Sequence, residues 1–171
     1  MEIWDAYDKH GNKLGFDQLR GEPIPEDVYH IVAEIYSITE NNEILITQRH
    51  PNKSWPLKWE ITGGSILKGE SPEEGAIREL REETGIEVAD SDLNFVYNYI
   101  PRGSPSIYKC FVVFVNKEKT KIYLQEGETI AYRYLAYEEF KEFIKTNNYV
   151  DLLRERFYAH EELFDAIIHQ R

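Results

Sequence analysis

The chain has 171 residues and carries 20 Lys plus Arg against 31 Asp plus Glu, so its formal net charge at pH 7 is −11. Its length predicts one compact domain, residues 1–171. Its charge argues against extended nucleic acid as a partner but leaves small phosphorylated ligands open. The longest apolar run, residues 110–115, is too short to cross a bilayer, so no membrane partner is expected. The single cysteine, Cys110, cannot form an internal disulfide, which favours a cytoplasmic location.

The first half of the chain is rich in β-type residues separated by turn-forming segments. This alternation predicts two hairpins, a loop and a short run that leads to two glycines. The first hairpin is residues 2–20, within an amino-terminal extension 1–27, and the second pairs residues 30–38 with 43–49. The loop is residues 50–56, and the short run, residues 58–62, leads to Gly63 and Gly64.

The second half mixes a helix, strands and terminal helices. A helix is predicted over residues 72–84, because Ser71 suits the N-cap, Pro72 the first helical position and Gly85 the C′ position. Strand-like runs follow at residues 93–100, 107–115 and 131–135. Residues 138–171 show helical periodicity, which fits one helix followed by either a second helix or a broken pair. This order of elements indicates an α/β domain with a mixed sheet between helical layers.

Six of the 31 acidic residues lie within 23 positions around this helix. At about 100° per residue, Glu79, Glu82 and Glu83 share one face. Like charges at this spacing destabilise a helix unless a cation relieves their repulsion. Oxygen ligands favour a hard ion, so the face predicts a site for Mg²⁺ or Mn²⁺, with a carbonyl of Gly63 or Gly64 completing it. The alternative is a solvated acidic face.

These residues resemble the Nudix box, whose nine defining positions are all filled at their fixed spacings. Within residues 64–86 they are Gly64, Glu70, Arg78, Glu79, Leu80, Glu82, Glu83, Gly85 and Ile86. The resemblance implies a Nudix fold, which is an α/β/α sandwich. It also implies a metal-dependent pyrophosphohydrolase that cleaves the diphosphate linkage of a small organic diphosphate, with a nucleoside diphosphate derivative as the expected substrate.

Within the same resemblance, Glu79, Glu82 and Glu83 are expected to bind the metal and to activate water. Glu70 and Arg78 are expected to form a supporting ion pair that fixes the loop against the helix. The implied reaction is an in-line attack of activated water on one phosphorus of the diphosphate.

The general base is left open between two positions in the chain. Some family members use a glutamate of the box, and others use one from a later loop, where Glu126 or Glu128 is the counterpart here. Glu128 resembles the family's glutamate before the strand that contains Arg133. An ordinary turn carboxylate is the alternative for Glu128.

The amino-terminal region is similar to the Nudix subgroup that includes isopentenyl diphosphate isomerase. The similarity rests on Trp4, Asp5, Asp8, Gly11, Gly15, Arg20, Gly21, Tyr29, His30 and residues 45–49. Isomerisation of an allylic diphosphate is therefore an alternative function, and a non-catalytic ligand sensor is another. The complete box, and the absence of a cysteine from residues 59–65, favour hydrolysis.

Two further residues are candidates for substrate binding. Arg49 ends a predicted strand and could meet a phosphate, although a surface ion pair is equally typical. Trp59 could stack on a ring of the substrate, with core packing as the alternative. The terminal helices are expected to cover the sheet, and any part of their apolar surface left exposed would form a dimer interface. A monomer or a homodimer is therefore expected.

Overall fold

The computed structural model describes residues 1–170, and within them nine strands and four helices follow one another. The strands are β1 (Ile3–Tyr7), β2 (Lys13–Leu19), β3 (His30–Thr39), β4 (Glu43–Arg49), β5 (Trp59–Glu60), β6 (Thr62–Ser65), β7 (Asn94–Tyr99), β8 (Ser106–Val115) and β9 (Thr129–Ala136). The helices are α1 (Pro72–Thr84), α2 (Tyr137–Phe143), α3 (Asp151–Ala159) and α4 (Glu161–His169). No helix in this part of the chain is long and apolar enough to span a membrane.

The strands form two sheets. β1 and β2 pair antiparallel, with Ile3 opposite Leu19, which confirms the predicted amino-terminal hairpin. The other seven strands form one sheet with the order β5-β4-β3-β8-β7, in which β6 also pairs with β3 and β9 with β4. β3 and β8 run parallel, while the other pairings between these strands, within residues 1–170, are antiparallel. The predicted mixed sheet is therefore confirmed.

Alternation of side chains along β3 places helices on both faces of this sheet. The buried apolar residues at odd-numbered positions of β3 pack on the side of α1, and those at even-numbered positions pack on the side of the carboxyl-terminal helices. The first cluster includes Ile31, Ala33, Ile35, Ala76 and Leu80. The second includes Tyr36, Ile38, Phe140, Phe157 and Phe164. The result is the α/β/α sandwich, preceded by a β-hairpin, that the sequence predicted.

The position of the two glycines differs from the sequence prediction, and the structure settles where the last helical region is broken. Gly63 and Gly64 do not follow a strand; they lie within β6, where Gly63 pairs with Glu34 of β3. A Cβ on Gly63 would come within 2.6 Å of the Ala33 carbonyl oxygen, so only glycine permits this pairing distance. The last helical region is broken at His160, between α3 and α4.

Candidate functional site

Helix α1 carries the crowded glutamates, and its ends are defined by the residues that the sequence indicated. The Ser71 hydroxyl accepts a hydrogen bond from the Glu74 amide at 3.1 Å, and the Glu74 carboxylate accepts one from the Ser71 amide at 2.7 Å. Gly85 ends the helix in the left-handed conformation, with φ 72°, and its amide donates to the Arg81 carbonyl. Because both ends are fixed, the rotation of the glutamate face about the helix axis is also fixed.

Arg78 ties the loop before α1 to the helix. Its guanidinium donates to the two oxygens of Glu70, from Nε at 2.7 Å and from Nη2 at 3.0 Å, and Nη2 also donates to the Ser65 carbonyl. Burial alone would raise the pKa of Glu70, but hydrogen bonds from Arg78 and from the Leu67 amide hold that pKa below its usual value. The loop is thus locked to the helix by a charge-assisted, forked contact.

Glu79 lies against Gly64, the second of the two glycines in β6. Its carboxylate occupies the space beside Gly64 that any Cβ at that position would fill. Arg78 Nη1 donates to Glu79 at 2.7 Å and reaches Glu82 at 3.2 Å. Burial raises the pKa of Glu79 in spite of this arginine. One cation therefore spans neighbouring carboxylates, which limits their mutual repulsion.

Glu83 is the most enclosed of the three glutamates. It is 5% exposed, and its Oε2 has no hydrogen-bond partner within residues 1–170. Burial raises the pKa of this carboxyl well above its ordinary value, and the nearby Glu60 and Glu79 raise it further. An unpaired buried carboxylate oxygen is unfavourable, so a cation at this oxygen would remove the penalty.

These glutamates line one cavity of about 490 Å³, which we call the carboxylate cleft. Its walls come from the box, from the loop after β4, from the loop before β9 and from the amino-terminal hairpin. They include Glu2, Arg20, Arg49, Lys53, Gly64, Arg78, Glu79, Glu82, Glu83 and Glu128. A larger hollow of about 730 Å³ lies beside the carboxyl end of α1, next to Gly85 and Tyr123, and none of these glutamates lines it.

The predicted residues outside the box lie in different surroundings. Glu128 lines the cleft and forms an ion pair with Lys53, and the two loops are also joined by the His50 amide, which donates to the Glu128 carbonyl at 2.9 Å. Glu126 is exposed and is not among the described residues that line the cleft. Glu128 is therefore the loop carboxylate that shares a cavity with the box glutamates.

Arg49 lines the cleft, but it is already paired. Its Nη1 donates to both oxygens of Glu60, at 2.8 and 2.6 Å, and its Nε donates to the Ser54 carbonyl. Trp59 lies elsewhere: its ring packs against Phe143 and beneath the Arg133 guanidinium, 5.4 Å from the ring centre. The structure brings Arg49 to the cleft but not Trp59.

The residues present fit a divalent cation although they do not form a closed ligand set. Within residues 1–170 no three His, Cys, Asp or Glu side chains are gathered closely enough to hold a metal ion as they stand. Glu79 faces Arg78 and Glu128 faces Lys53, so both carboxylates are directed to protein cations. Glu82 is also reached by Arg78, at 3.2 Å, but its side chain is 41% exposed, so Glu82 and the unpaired Glu83 oxygen are the donors most open to an ion. An open oxygen site of this kind suits Mg²⁺, which keeps several waters.

Three charged groups near the cleft were not among the predicted site residues. Glu2 and Arg20, which pair at 2.6 Å, reach the cleft from the amino-terminal hairpin. Glu60 is brought to Arg49 by the pairing of β4 with β5. The opposite charges of Arg49 and Glu60, on two consecutive β-type runs, indicate this ion pair only once β4 and β5 are known to be paired.

The fold and the cleft together define a class, an α/β/α sandwich with a glutamate-lined helix beside a glycine strand. A model of the NUDIX domain matches residues 28–155, three quarters of the chain. The chain therefore belongs to the NUDIX domain family, a family of pyrophosphohydrolase enzymes. The amino-terminal hairpin lies before the matched residues.

Individual relatives agree with this assignment. The chain is 33% identical over 101 residues to an uncharacterised Nudix hydrolase of Listeria monocytogenes; the match covers 58% of this chain and 60% of that protein, less than two thirds of the relative's length. A crystal structure from Deinococcus radiodurans superposes with a TM-score of 0.72 at 20% identity and covers 90% of this chain and 98% of that one. The NUDIX domain of Shewanella oneidensis NrtR, complexed with ADP ribose, gives a TM-score of 0.59 at 18% identity, over 79% and 88% of the two chains.

Proposed function

We propose that residues 1–171 act as one unit, a metal-dependent hydrolase that cleaves the diphosphate linkage of a small organic diphosphate. The observation that carries the proposal is the buried Glu83 oxygen, which has no partner within residues 1–170 and lines a cleft with Glu79 and Glu82. Burying carboxylates side by side is unfavourable for folding, so a functional role is the economical explanation.

Glu79, Glu82 and Glu83 are the proposed ligands of a Mg²⁺ or Mn²⁺ ion, with the Gly64 carbonyl as a further oxygen donor. Such an ion, when bound, would neutralise charge on the diphosphate oxygens and lower the pKa of a bound water. Glu70 and Arg78 hold the glycine strand and the helix in register, and thereby keep Glu79 beside Gly64.

Glu128 is the proposed general base. Its side chain is 41% exposed, so it is accessible to water, and it lines the same cleft as the box glutamates. Glu83 is less suited to this step, because it is only 5% exposed and is one of the proposed metal ligands. The base takes one proton from the water that attacks phosphorus in line with the leaving phosphate oxygen.

A nucleoside diphosphate derivative is the proposed substrate. The cations Arg20, Arg49 and Lys53 line the cleft together with the glutamates, which suits a diphosphate group in an otherwise acidic protein. The related NUDIX domain of NrtR is complexed with ADP ribose, a molecule of this class. The cytoplasm, a reducing compartment, agrees with the single buried thiol, Cys110.

The test is a panel assay combined with metal titration. Purified protein with Mg²⁺ or Mn²⁺ is given nucleoside diphosphate sugars, dinucleoside polyphosphates, nucleoside triphosphates and isopentenyl diphosphate, and products are resolved by chromatography. Glu83→Gln should weaken Mn²⁺ binding measured by calorimetry, whereas Glu128→Gln should lower kcat at least 100-fold with Mn²⁺ binding retained. Glu73→Gln, on the same helix but outside the cleft lining, is the matched control.

The proposal fails if no diphosphate is hydrolysed and Mn²⁺ binding is the same in the wild type and in Glu83→Gln. Conversion of isopentenyl diphosphate to its isomer would support the isomerase alternative instead. That alternative lacks a cysteine in the cleft, since Cys110 is fully buried within β8.

A further inference from the structure

A second cavity adjoins the carboxylate cleft and shares a wall with it. This side hollow, of about 330 Å³, is lined by the strand β3, the loop after β4 and the helix α3. Five residues line both cavities: Arg20, Val32, Arg49, Ser54 and Gly63. A molecule with its diphosphate in the cleft can therefore extend into the side hollow without crossing a packed wall.

The charges of the side hollow are already paired within the protein. Glu60 is paired with Arg49, and Glu34 with Arg156, whose Nε donates to Glu34 Oε1 at 2.6 Å. This balance contrasts with the surplus of carboxylates in the cleft. Arg20, the third arginine of the side hollow, is paired with Glu2, so each of the three arginines that line this hollow already has a carboxylate partner.

The rest of the side hollow combines apolar side chains with flat polar surfaces. Ile61, Val150 and Leu153 contribute apolar surface, and the Arg156 guanidinium lies 3.8 Å from the centre of the Tyr108 ring. A purely aliphatic group would cover the arginine and serine polar atoms without replacing their contacts with water. A flat ring with polar edges matches both kinds of surface.

Trp55 is the large aromatic side chain on the rim of this hollow. It is 39% exposed, and its backbone has φ 55°, a left-handed conformation that is rare for a bulky residue; Leu57, two residues on, has φ 61°. The loop is held in this conformation, because Arg49 donates to the Ser54 carbonyl at 2.6 Å and Gln48 donates to the Leu57 carbonyl at 2.9 Å. Strained backbone that its neighbours hold in place is typical of ligand-binding loops.

From these observations we propose that the side hollow binds the planar heteroaromatic ring of the substrate, a nucleobase, with Trp55 as its stacking surface. The proposal rests on the proposed function in one respect, that the diphosphate occupies the adjoining cleft. It assigns specificity to residues outside the Nudix box.

The first test measures binding and needs neither metal nor turnover. The four nucleoside monophosphates AMP, GMP, CMP and UMP are titrated against the intrinsic tryptophan fluorescence of the protein, with ribose 5-phosphate as the ring-free control. At least one nucleotide should quench the emission to saturation, and ribose 5-phosphate should not. Trp55→Phe should abolish the quenching, whereas Trp59→Phe should retain it, since Trp59 packs against Phe143 away from both cavities.

The second test separates ring recognition from chemistry. Stacking of a base on an aromatic side chain predicts that Trp55→Ala lowers kcat/KM for a nucleoside diphosphate sugar about tenfold or more. The value for a ring-free alkyl diphosphate should stay within about twofold, and Trp55→Phe should restore most of the loss.

The proposal is overturned if no nucleotide quenches the fluorescence, if quenching survives in Trp55→Phe, or if Trp55→Ala lowers both substrates equally. Failure of the proposed function has a different signature. In that case the wild type hydrolyses no diphosphate at all, while the fluorescence titration still decides whether the hollow binds a ring.

Discussion

At Gly64 the missing side chain leaves the space that the Glu79 carboxylate occupies. Gly64→Ala should therefore displace this carboxylate and lower Mn²⁺ affinity and kcat/KM about 10- to 100-fold, the size of effect usual for changes that shift a metal ligand. Calorimetry and steady-state kinetics measure the two quantities. The loss should largely vanish when the change is made in a Glu79→Ala background, because that substitution removes the side-chain atoms with which the new methyl group clashes. Equal losses in both backgrounds would contradict the explanation.

Also at the scale of a single residue, His30 makes the free energy of unfolding depend on pH. Its ring is 8% exposed, stacks on Trp4 at 4.2 Å and is hydrogen-bonded through Nε2 to Ser106 at 2.7 Å. Burial, with help from Arg20, lowers the pKa of His30 to about 4. Between pH 6.5 and 4 the unfolded chain binds a proton that the folded one does not, so the free energy of unfolding falls as the pH is lowered.

The effect of His30 on stability is up to about 3 kcal/mol across that window. Urea unfolding at pH 7 and at pH 4.5 should show a smaller difference in His30→Gln than in the wild type. His10→Gln, which changes an exposed histidine, should keep the wild-type difference. An unchanged difference in His30→Gln would show that carboxylates alone set the acid sensitivity.

At the scale of elements, local chemistry decides how much could be predicted. The bounds of α1 agree with the prediction because its N-cap, capping box and C′ glycine are all encoded within 15 residues. The glycine pair was misplaced because its strand character comes from pairing with β3, about 30 residues earlier. The three box glutamates could be grouped from helical spacing alone, whereas the Arg49–Glu60 pair required knowledge that β4 and β5 are neighbours.

The cap of α1 can be tested directly. Ser71→Ala removes the acceptor for the Glu74 amide and should lower the free energy of unfolding by about 1 kcal/mol. Thermal unfolding followed by circular dichroism measures the change. Ser91→Ala is the control and should change stability by less than about 0.5 kcal/mol, because this exposed serine lies in the turn Asp90–Asp92, where the side chain that bonds to the turn's first amide is that of Asp92. Equal effects of the two substitutions would show that the cap contributes nothing beyond a surface hydroxyl.

At the scale of the whole molecule, the net charge of −11 does not describe the cleft. Four cations, Arg20, Arg49, Lys53 and Arg78, share its walls with the glutamates. They come from the hairpin, the end of β4, the following loop and α1, so tertiary structure assembles them. The composition predicts that extended nucleic acid is not a partner, and this stays a prediction; the composition does not indicate that four cations line the same cavity as the glutamates.

The longest-range polar contact near the site joins the two halves of the chain. Arg156 of α3 is paired with Glu34 of β3, whose carboxylate also accepts a hydrogen bond from Tyr97 at 3.2 Å, and both charged side chains are at most 6% exposed. Burial raises the pKa of Glu34 even beside the arginine, so removal of Arg156 leaves a strongly disfavoured carboxylate. Arg156→Met should lower the free energy of unfolding by about 3–5 kcal/mol.

Glu34→Gln completes a double-mutant cycle with Arg156→Met. It removes the Glu34 carboxylate charge that Arg156→Met leaves without a partner. The double variant should therefore be more stable than Arg156→Met alone, by roughly 1–3 kcal/mol in urea unfolding at pH 7. If Arg156→Met does not fold, recovery of a cooperative transition in the double variant makes the same point. Strict additivity of the two substitutions would mean that α3 is held on the sheet by its apolar contacts, including Phe157, and not by the buried ion pair.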